Sequence, residues 1–293
     1  MDAIVITDVS KRFGSNQALN KVSLTVPKGE IYGFLGPNGA GKTTTIRCLM
    51  DFIRPDSGSI KVFGADAFTD AVKVKSYLGY LPADIQQYGK WTAAEHIAFY
   101  ESVRGPAPDA TKMIKELDLN LDIEARHLSS GNKQKLALVL AMMHHPKLLV
   151  LDEPTRGLDP LLQETIYTLL RSYRDKGGTV FISSHNLAEV EKICDHVGII
   201  RAGQVVASES IGAIRRMNIH MVSVRFDKPF KPKDFEADNI TLVHKSELQL
   251  ICKVKGDLNP ILKKLAGYSV KDVEITHASL EDAFMEYYEK EAV

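Results

Sequence analysis

Apolar positions fall in short blocks along most of the chain, and their spacing changes twice. Residues 4–7, 22–26 and 31–35 are rich in β-branched side chains and predict strands. Residues 148–151 and 179–183 are further apolar runs of strand length, each preceded by a segment of helical pattern. That alternation predicts an α/β fold whose mostly parallel sheet is covered by helices. Between about residues 83 and 143 the pattern becomes helix-rich. Thr92-Ala93-Ala94-Glu95 opens a helix through Val103 as a capping box, and Pro106 and Pro108 separate it from a helical stretch at 109–117. This block reads as a helical insertion between strands. Residues 199–206 predict a hairpin turning at Gly203. From about Arg215 the pattern restarts, with strands at 221–226, 248–254 and 270–275 and a helix at 259–265. The expected organisation is a large domain over residues 1–215 and a small C-terminal α+β domain over 216–293.

Composition narrows the partners. Lys plus Arg and Asp plus Glu both number 37 among 293 residues, so the formal net charge is zero. A protein that binds nucleic acid by neutralising phosphates carries a basic excess or face, and no nucleic acid partner is expected. Cys48, Cys194 and Cys252 are widely separated, fit no metal spacing, and read as buried thiols in a reducing compartment. Met1-Asp2-Ala3-Ile4-Val5 lacks the basic start and apolar core of a signal peptide. No stretch approaches the roughly 20 apolar residues that span a bilayer, so any role in membrane transport calls for a separate spanning subunit.

The chemistry concentrates at three places. Gly36-Pro37-Asn38-Gly39-Ala40-Gly41-Lys42-Thr43-Thr44 matches G-x-x-x-x-G-K-[ST], between a strand and a helix beginning near Lys42. The glycines let successive amides point at phosphate oxygens, and the helix adds its positive end. Lys42 is expected to reach the β- and γ-phosphates, and the Thr43 hydroxyl to bind Mg²⁺. Asp152 closes a buried apolar run, where a carboxylate is costly unless it serves a cation. Glu153, next in line, is free to polarise an attacking water. Leu128-Ser129-Ser130-Gly131-Asn132 lies upstream and suits a capped helix start whose amides and dipole favour an anion.

With these motifs in order, the chain resembles the ATP-binding cassette family over residues 1 to about 215. Leu128 to Asn132 is similar to the family signature, with Ser130 for its first Gly and Asn132 for its Gln. The resemblance implies a P-loop-type fold with N-terminal antiparallel strands, in which two nucleotide domains close head to tail over two ATP. Ser129, Ser130, Gly131 and Asn132 of one copy would then face the γ-phosphate held by Gly36 to Thr44 of the other. The second copy is this chain or a close paralogue. Gly157-Leu158-Asp159 matches the segment that communicates across the dimer, and Ser184-His185 matches the switch histidine that contacts the γ-phosphate and orders Glu153. Phe13, within Lys11-Arg12-Phe13-Gly14, takes the place of the aromatic that stacks on adenine. His96, His127, His144 and His145 fall in no motif and read as packing or surface residues.

One position departs from the family pattern. The Gln expected after Tyr77-Leu78-Gly79-Tyr80-Leu81-Pro82 is Ala83, followed by Asp84, with Gln86 and Gln87 out of register. Any of Asp84, Gln86 and Gln87 could substitute, or the contact is missing. The tail Ala278-Ser279-Leu280-Glu281-Asp282-Ala283-Phe284-Met285-Glu286-Tyr287-Tyr288 is similar to tails of drug, antibiotic and ABC-2-type exporter ATPases. Gly131-Asn132-Lys133-Gln134-Lys135 and Gly157-Leu158-Asp159-Pro160 point the same way. The implied protein is the ATPase subunit of an exporter, held at the cytoplasmic face of the membrane by a transmembrane permease. An importer ATPase and a soluble cassette ATPase are the alternatives.

Overall fold

The computed structural model describes residues 2–107, 109–216 and 219–277. The chain divides into two compact units, Met1–Ser208 and a second beginning at Glu209. In order, the first contains β1 (Asp2–Phe13), β2 (Asn16–Pro27), β3 (Ile31–Leu35), α1 (Lys42–Leu49), β4 (Ser57–Val62) and β5 (Ala65–Asp66). There follow α2 (Ala71–Ser76), β6 (Leu78–Leu81), α3 (Ala93–Arg104), α4 (Ala110–Glu116) and α5 (Ser130–Met142). The unit is completed by β7 (Leu148–Asp152), α6 (Pro160–Asp175), β8 (Thr179–Ser184), α7 (Leu187–Ile193) and β9 (His196–Arg201), with β10 (Gln204–Ser210) reaching its end.

Two sheets result. Strands β2-β1-β4-β5 form an antiparallel sheet, and β10-β9-β3-β8-β7-β6 form the second, in which β9, β3, β8, β7 and β6 are parallel. Every residue of β3, β7 and β8 is buried, as expected for central strands covered on both faces. Helix α1 lies between the sheets. Its Ile46 and Leu49 share one core with Ile4, Ile6, Leu19 and Val22 of the antiparallel sheet and with Phe34, Val150 and Phe181 of the parallel one. The Phe34 and Phe181 rings sit 5.5 Å apart, a geometry that adds about 0.5–1.5 kcal/mol beyond burial.

β1 continues well past the expected end at residue 7. Its pairing with β2 shifts register between Ile6 and Val9, and Asp8 there has φ 48°. The bulge lets Ile6 and Val9, three positions apart, both face the core, which breaks the alternation that marks a strand in sequence. The helix-rich block supplies α3, α4 and α5 between β6 and β7. The capping box forms: Thr92 Oγ1 accepts from the Glu95 amide at 3.2 Å, and Glu95 accepts from the Thr92 amide at 2.7 Å.

The second unit contains α8 (Ile211–Arg216), β11 (Ile219–Phe226), β12 (Ile240–Lys245), β13 (Gln249–Lys255), α9 (Asn259–Leu265) and β14 (Val270–His277). Its antiparallel sheet, ordered β12-β13-β11-β14, packs Val222, Val224, Phe226, Leu250, Cys252 and Val254 against Ile261 and Leu265 of α9 and against Phe235. β12 is absent from the expected strands. It is an edge strand with only Ile240 buried, so its inward pattern is too weak to mark it. The exporter-like tail at residues 278–288 lies outside the described residues. Among the described residues, no helix is long and apolar enough to cross a membrane.

Candidate functional site

Strand register assembles the site. β3, β8 and β7 are neighbours and parallel, with Leu35 opposite Ser184 and Ser183 opposite Asp152. The three chain segments leaving their C-terminal ends therefore emerge side by side, at the edge where open α/β sheets bind ligands. They are the loop at Gly36, the Asp152-Glu153 turn, and Ser184-His185.

The loop after β3 returns sharply into α1. A Cβ at Gly36 would lie 2.3 Å from the Ile200 carbonyl, and Gly41 caps α1 with φ 113° while facing the Ala18 carbonyl. Side chains larger than hydrogen fit neither position. Lys42, 6% exposed, donates to the carbonyls of Gly36 at 2.6 Å and Pro37 at 3.2 Å, and its Nζ lies 3.3 Å from Glu153 Oε1. Pro37, Asn38, Gly39, Gly41, Lys42, Thr43 and Thr44 line a cleft of about 480 Å³. Phe13, half exposed, lines the same cleft together with Asn16, Gln17 and Ala18. Gly36 and Ala40 complete the loop without lining the cleft.

Glu153 also lines the cleft and adopts φ 53°, a left-handed conformation that costs a non-glycine residue about 1–3 kcal/mol. Its amide is held by the carbonyl and hydroxyl of Ser183, at 3.2 and 3.1 Å. Its carboxylate pairs with His185 Nδ1 at 2.6 Å. The lysine, the acidic residue and the histidine are thus one connected set.

Asp152 is 1% exposed. Its Oδ1 accepts from Ser183 Oγ at 2.5 Å, whereas its Oδ2 has no hydrogen-bond partner among the described residues. An unpartnered buried acceptor of this kind costs about 1–3 kcal/mol or more, and a cation relieves it. Asp152 with the Thr43 hydroxyl fits Mg²⁺, a metal that needs few protein ligands when phosphates supply the rest.

Ser129, Ser130, Gly131, Asn132 and Asp159 are not among the residues that line the cleft. Ser129 caps α5, accepting from the Asn132 amide at 3.3 Å. Asp159 caps α6, accepting from the Leu162 amide at 2.9 Å, with Pro160 at the first helical position. Ala83, the position at which the resemblance leads one to expect a Gln, does line the cleft. Gln87 instead donates to the Lys133 carbonyl of α5 at 3.0 Å, and it shares a separate groove with Gln86. Neither glutamine nor Asp84 lines the phosphate cleft.

Sequence reasoning passed over Ser183, Arg156 and Gln134. Ser183, fully buried, orients both Asp152 and Glu153. A serine inside the apolar run of β8 was the available signal. Arg156 lines the cleft three residues beyond Glu153. Gln134, buried on α5, donates to the Pro154 carbonyl at 2.5 Å and ties the signature helix to the Glu153 turn.

A phosphate-binding loop, an acidic pair at a strand end and a capped signature helix on this topology define a nucleotide-hydrolysing cassette ATPase. Comparisons with known proteins agree. The family model described as ABC transporter matches residues 19–156. The chain is 33% identical to the bacitracin transport ATP-binding protein BcrA of Bacillus licheniformis, over 96% of each chain. It is 31% identical to the Nod factor export ATP-binding protein I of Burkholderia lata, over 95% of this chain and 94% of the relative. Among solved structures, an ATP-binding subunit of an ABC transporter matches 73% of this chain and 92% of its own, at 29% identity and a TM-score of 0.68. The chain belongs to the ABC transporter family, as an ATP-binding, ATP-hydrolysing subunit.

Proposed function

We propose that this chain drives an exporter, working as a pair of copies over two ATP and acting on a separate transmembrane permease. Support for the exporter reading comes from relatives named for bacitracin transport and Nod factor export that match nearly the whole chain, including the second unit. The observation that carries the chemistry is the single connected set of Lys42, Glu153 and His185 at the end of three parallel strands.

In this reading Phe13 stacks on adenine, and the loop amides with Lys42 take the phosphates. The chemistry that Mg²⁺ supplies when bound, through Thr43 and Asp152, is neutralisation of charge on the phosphate oxygens. A water oxygen attacks the γ-phosphorus, and the bond to the β–γ bridging oxygen breaks, giving ADP and inorganic phosphate. Glu153 takes the water's proton, and His185 holds Glu153 and contacts the γ-phosphate. General-base assistance of this kind contributes about 10²–10⁴-fold. Ser129 to Asn132 belong to the site of the opposite copy, which fits their positions away from this chain's own cleft. Asp159 reaches the partner copy from the start of α6, which it caps.

The direct test is ATP turnover by Glu153→Gln. Loss of at least about 100-fold with ATP binding retained supports the reading. Turnover at the wild-type rate removes Glu153 from the role of base.

A further inference from the structure

Directly behind the Glu153–His185 pair lies a carboxylate with no part in the chemistry above. Glu189, in the first turn of α7, is 4% exposed. One of its oxygens accepts from Ser184 Oγ at 2.5 Å, the other from Thr155 Oγ1 at 2.6 Å. Ser184 immediately precedes His185, and Thr155 lies two residues beyond Glu153. The connections close a ring: Glu153 to His185, His185 along the chain to Ser184, Ser184 to Glu189, Glu189 to Thr155, and Thr155 back along the chain to Glu153.

Burying a carboxylate is costly, and burial is the main influence raising the Glu189 pKa, with the two hydroxyls opposing it. A residue that only filled space at this position would be served better by an apolar side chain. The two hydroxyls come from two different segments. Ser184 ends β8, and Thr155 lies in the turn after β7. Apart from Glu189, the side-chain hydrogen bonds that join these segments among the described residues are the Glu153–His185 pair itself and those of Ser183, which grips the Asp152-Glu153 junction, while Tyr167 of α6 bonds Thr155 and Glu189 from the side.

We propose that Glu189 is a positioning residue for hydrolysis, clamping the turn that carries Glu153 to the segment that carries His185. The proposal rests on the reading of Glu153 as the base given above. Misplacement of a reacting group by about 1 Å costs on the order of 100-fold in rate, whereas nucleotide binding depends on the loop at Gly36 and on Phe13, which Glu189 does not touch. Loosening the clamp should therefore appear in kcat and not in ATP affinity.

The experiment measures kcat and ATP affinity, each per nucleotide-binding site, for E189A, E189Q, T155V and S184A, with E153Q alongside. Expected for E189A is a fall in kcat of about 10- to 100-fold with ATP affinity within about twofold. E189Q should recover most of that loss, because its amide oxygen accepts from one hydroxyl while its amide nitrogen donates to the other. T155V and S184A should each lower kcat, and combined with E189A should add little to its effect, as members of one unit do. Should E189A not fold, E189Q, T155V and S184A read the same clamp. Wild-type kcat per binding site in E189A, or equal losses in kcat and affinity, would overturn the proposal. Additive losses in the combined variants would overturn it too. An inactive E153Q beside a wild-type E189A defeats this proposal alone, whereas an active E153Q defeats the reading beneath it and the clamp with it.

Discussion

Glu153 stands in a left-handed backbone conformation that its own side chain disfavours, and Ser183 holds it there by two contacts to its amide. Strain of this kind persists where a side chain must be aimed, here into the cleft and toward His185. Lys42 completes the picture from the other side. It is buried and satisfied by two loop carbonyls and by Glu153, so in the proposed reading a bound phosphate would replace partners it already has. Lys42→Ala should weaken ATP binding by at least about tenfold, the scale of a lost hydrogen bond to a charged group, as read by nucleotide titration; unchanged affinity would contradict the loop assignment. The three cysteines give a pH prediction. Burial pushes the Cys48 and Cys252 thiols from 9.0 up to about 11, and raises Cys194 as well. In the unfolded chain these thiols lose their protons at lower pH than in the folded one, so the unfolded state binds fewer protons there. Stability should decline as pH rises from about 9 toward 11, measured by denaturant midpoints. Native protein at pH 8 should leave a thiol reagent largely unreacted, while denatured protein titrates all three. Rapid native labelling would contradict the burial. At this scale the sequence was legible where adjacent residues form one motif, as at Lys42-Thr43 after β3 and Asp152-Glu153 at the end of β7. Ser183 and Gln134 act on partners 20 to 31 positions away, and Glu189 joins Ser184, five positions before it, to Thr155, 34 positions before it, so no local spacing marks them.

Elements explain where the readable pattern stops. Fully buried β3, β7 and β8 announced themselves as apolar runs, and the capping box at Thr92 gave the start of α3. β1 outran its pattern because the bulge at Asp8 resets the alternation, and β12 was missed because an edge strand buries almost nothing. The capped helices offer a clean test. Thr92→Ala removes a side chain that closes the capping box at α3 and touches nothing in the phosphate cleft. It should cost about 0.5–2 kcal/mol of stability, measured by denaturant unfolding, and leave kcat at saturating ATP unchanged. The loop at Ala83 gives a second test. Ala83, where the family resemblance leads one to expect Gln, lines the cleft, while Gln87 is committed to α5. Ala83→Gln should change the basal ATPase rate by placing an amide at the cleft, whereas Gln87→Ala should act through the signature helix. Identical rates in wild type and Ala83→Gln would show that this position does not sense nucleotide.

At the scale of the molecule, Ser129, Ser130, Gly131 and Asn132 at the start of α5 are not among the described residues that line the cleft beside the loop at Gly36. That separation, legible in sequence only through the family resemblance, is what makes two copies necessary in the account. The proposal of export rests on relatives matched over nearly their whole length, and that of a spanning partner on the family; in that proposal the partner chooses the transported molecule. The most direct measurement is sedimentation velocity of Glu153→Gln, a chain of 32.5 kDa, with and without ATP and Mg²⁺. A monomer is expected without nucleotide and a stable species of twice that mass with it. A variant that binds ATP yet remains a monomer at every concentration would contradict the shared site.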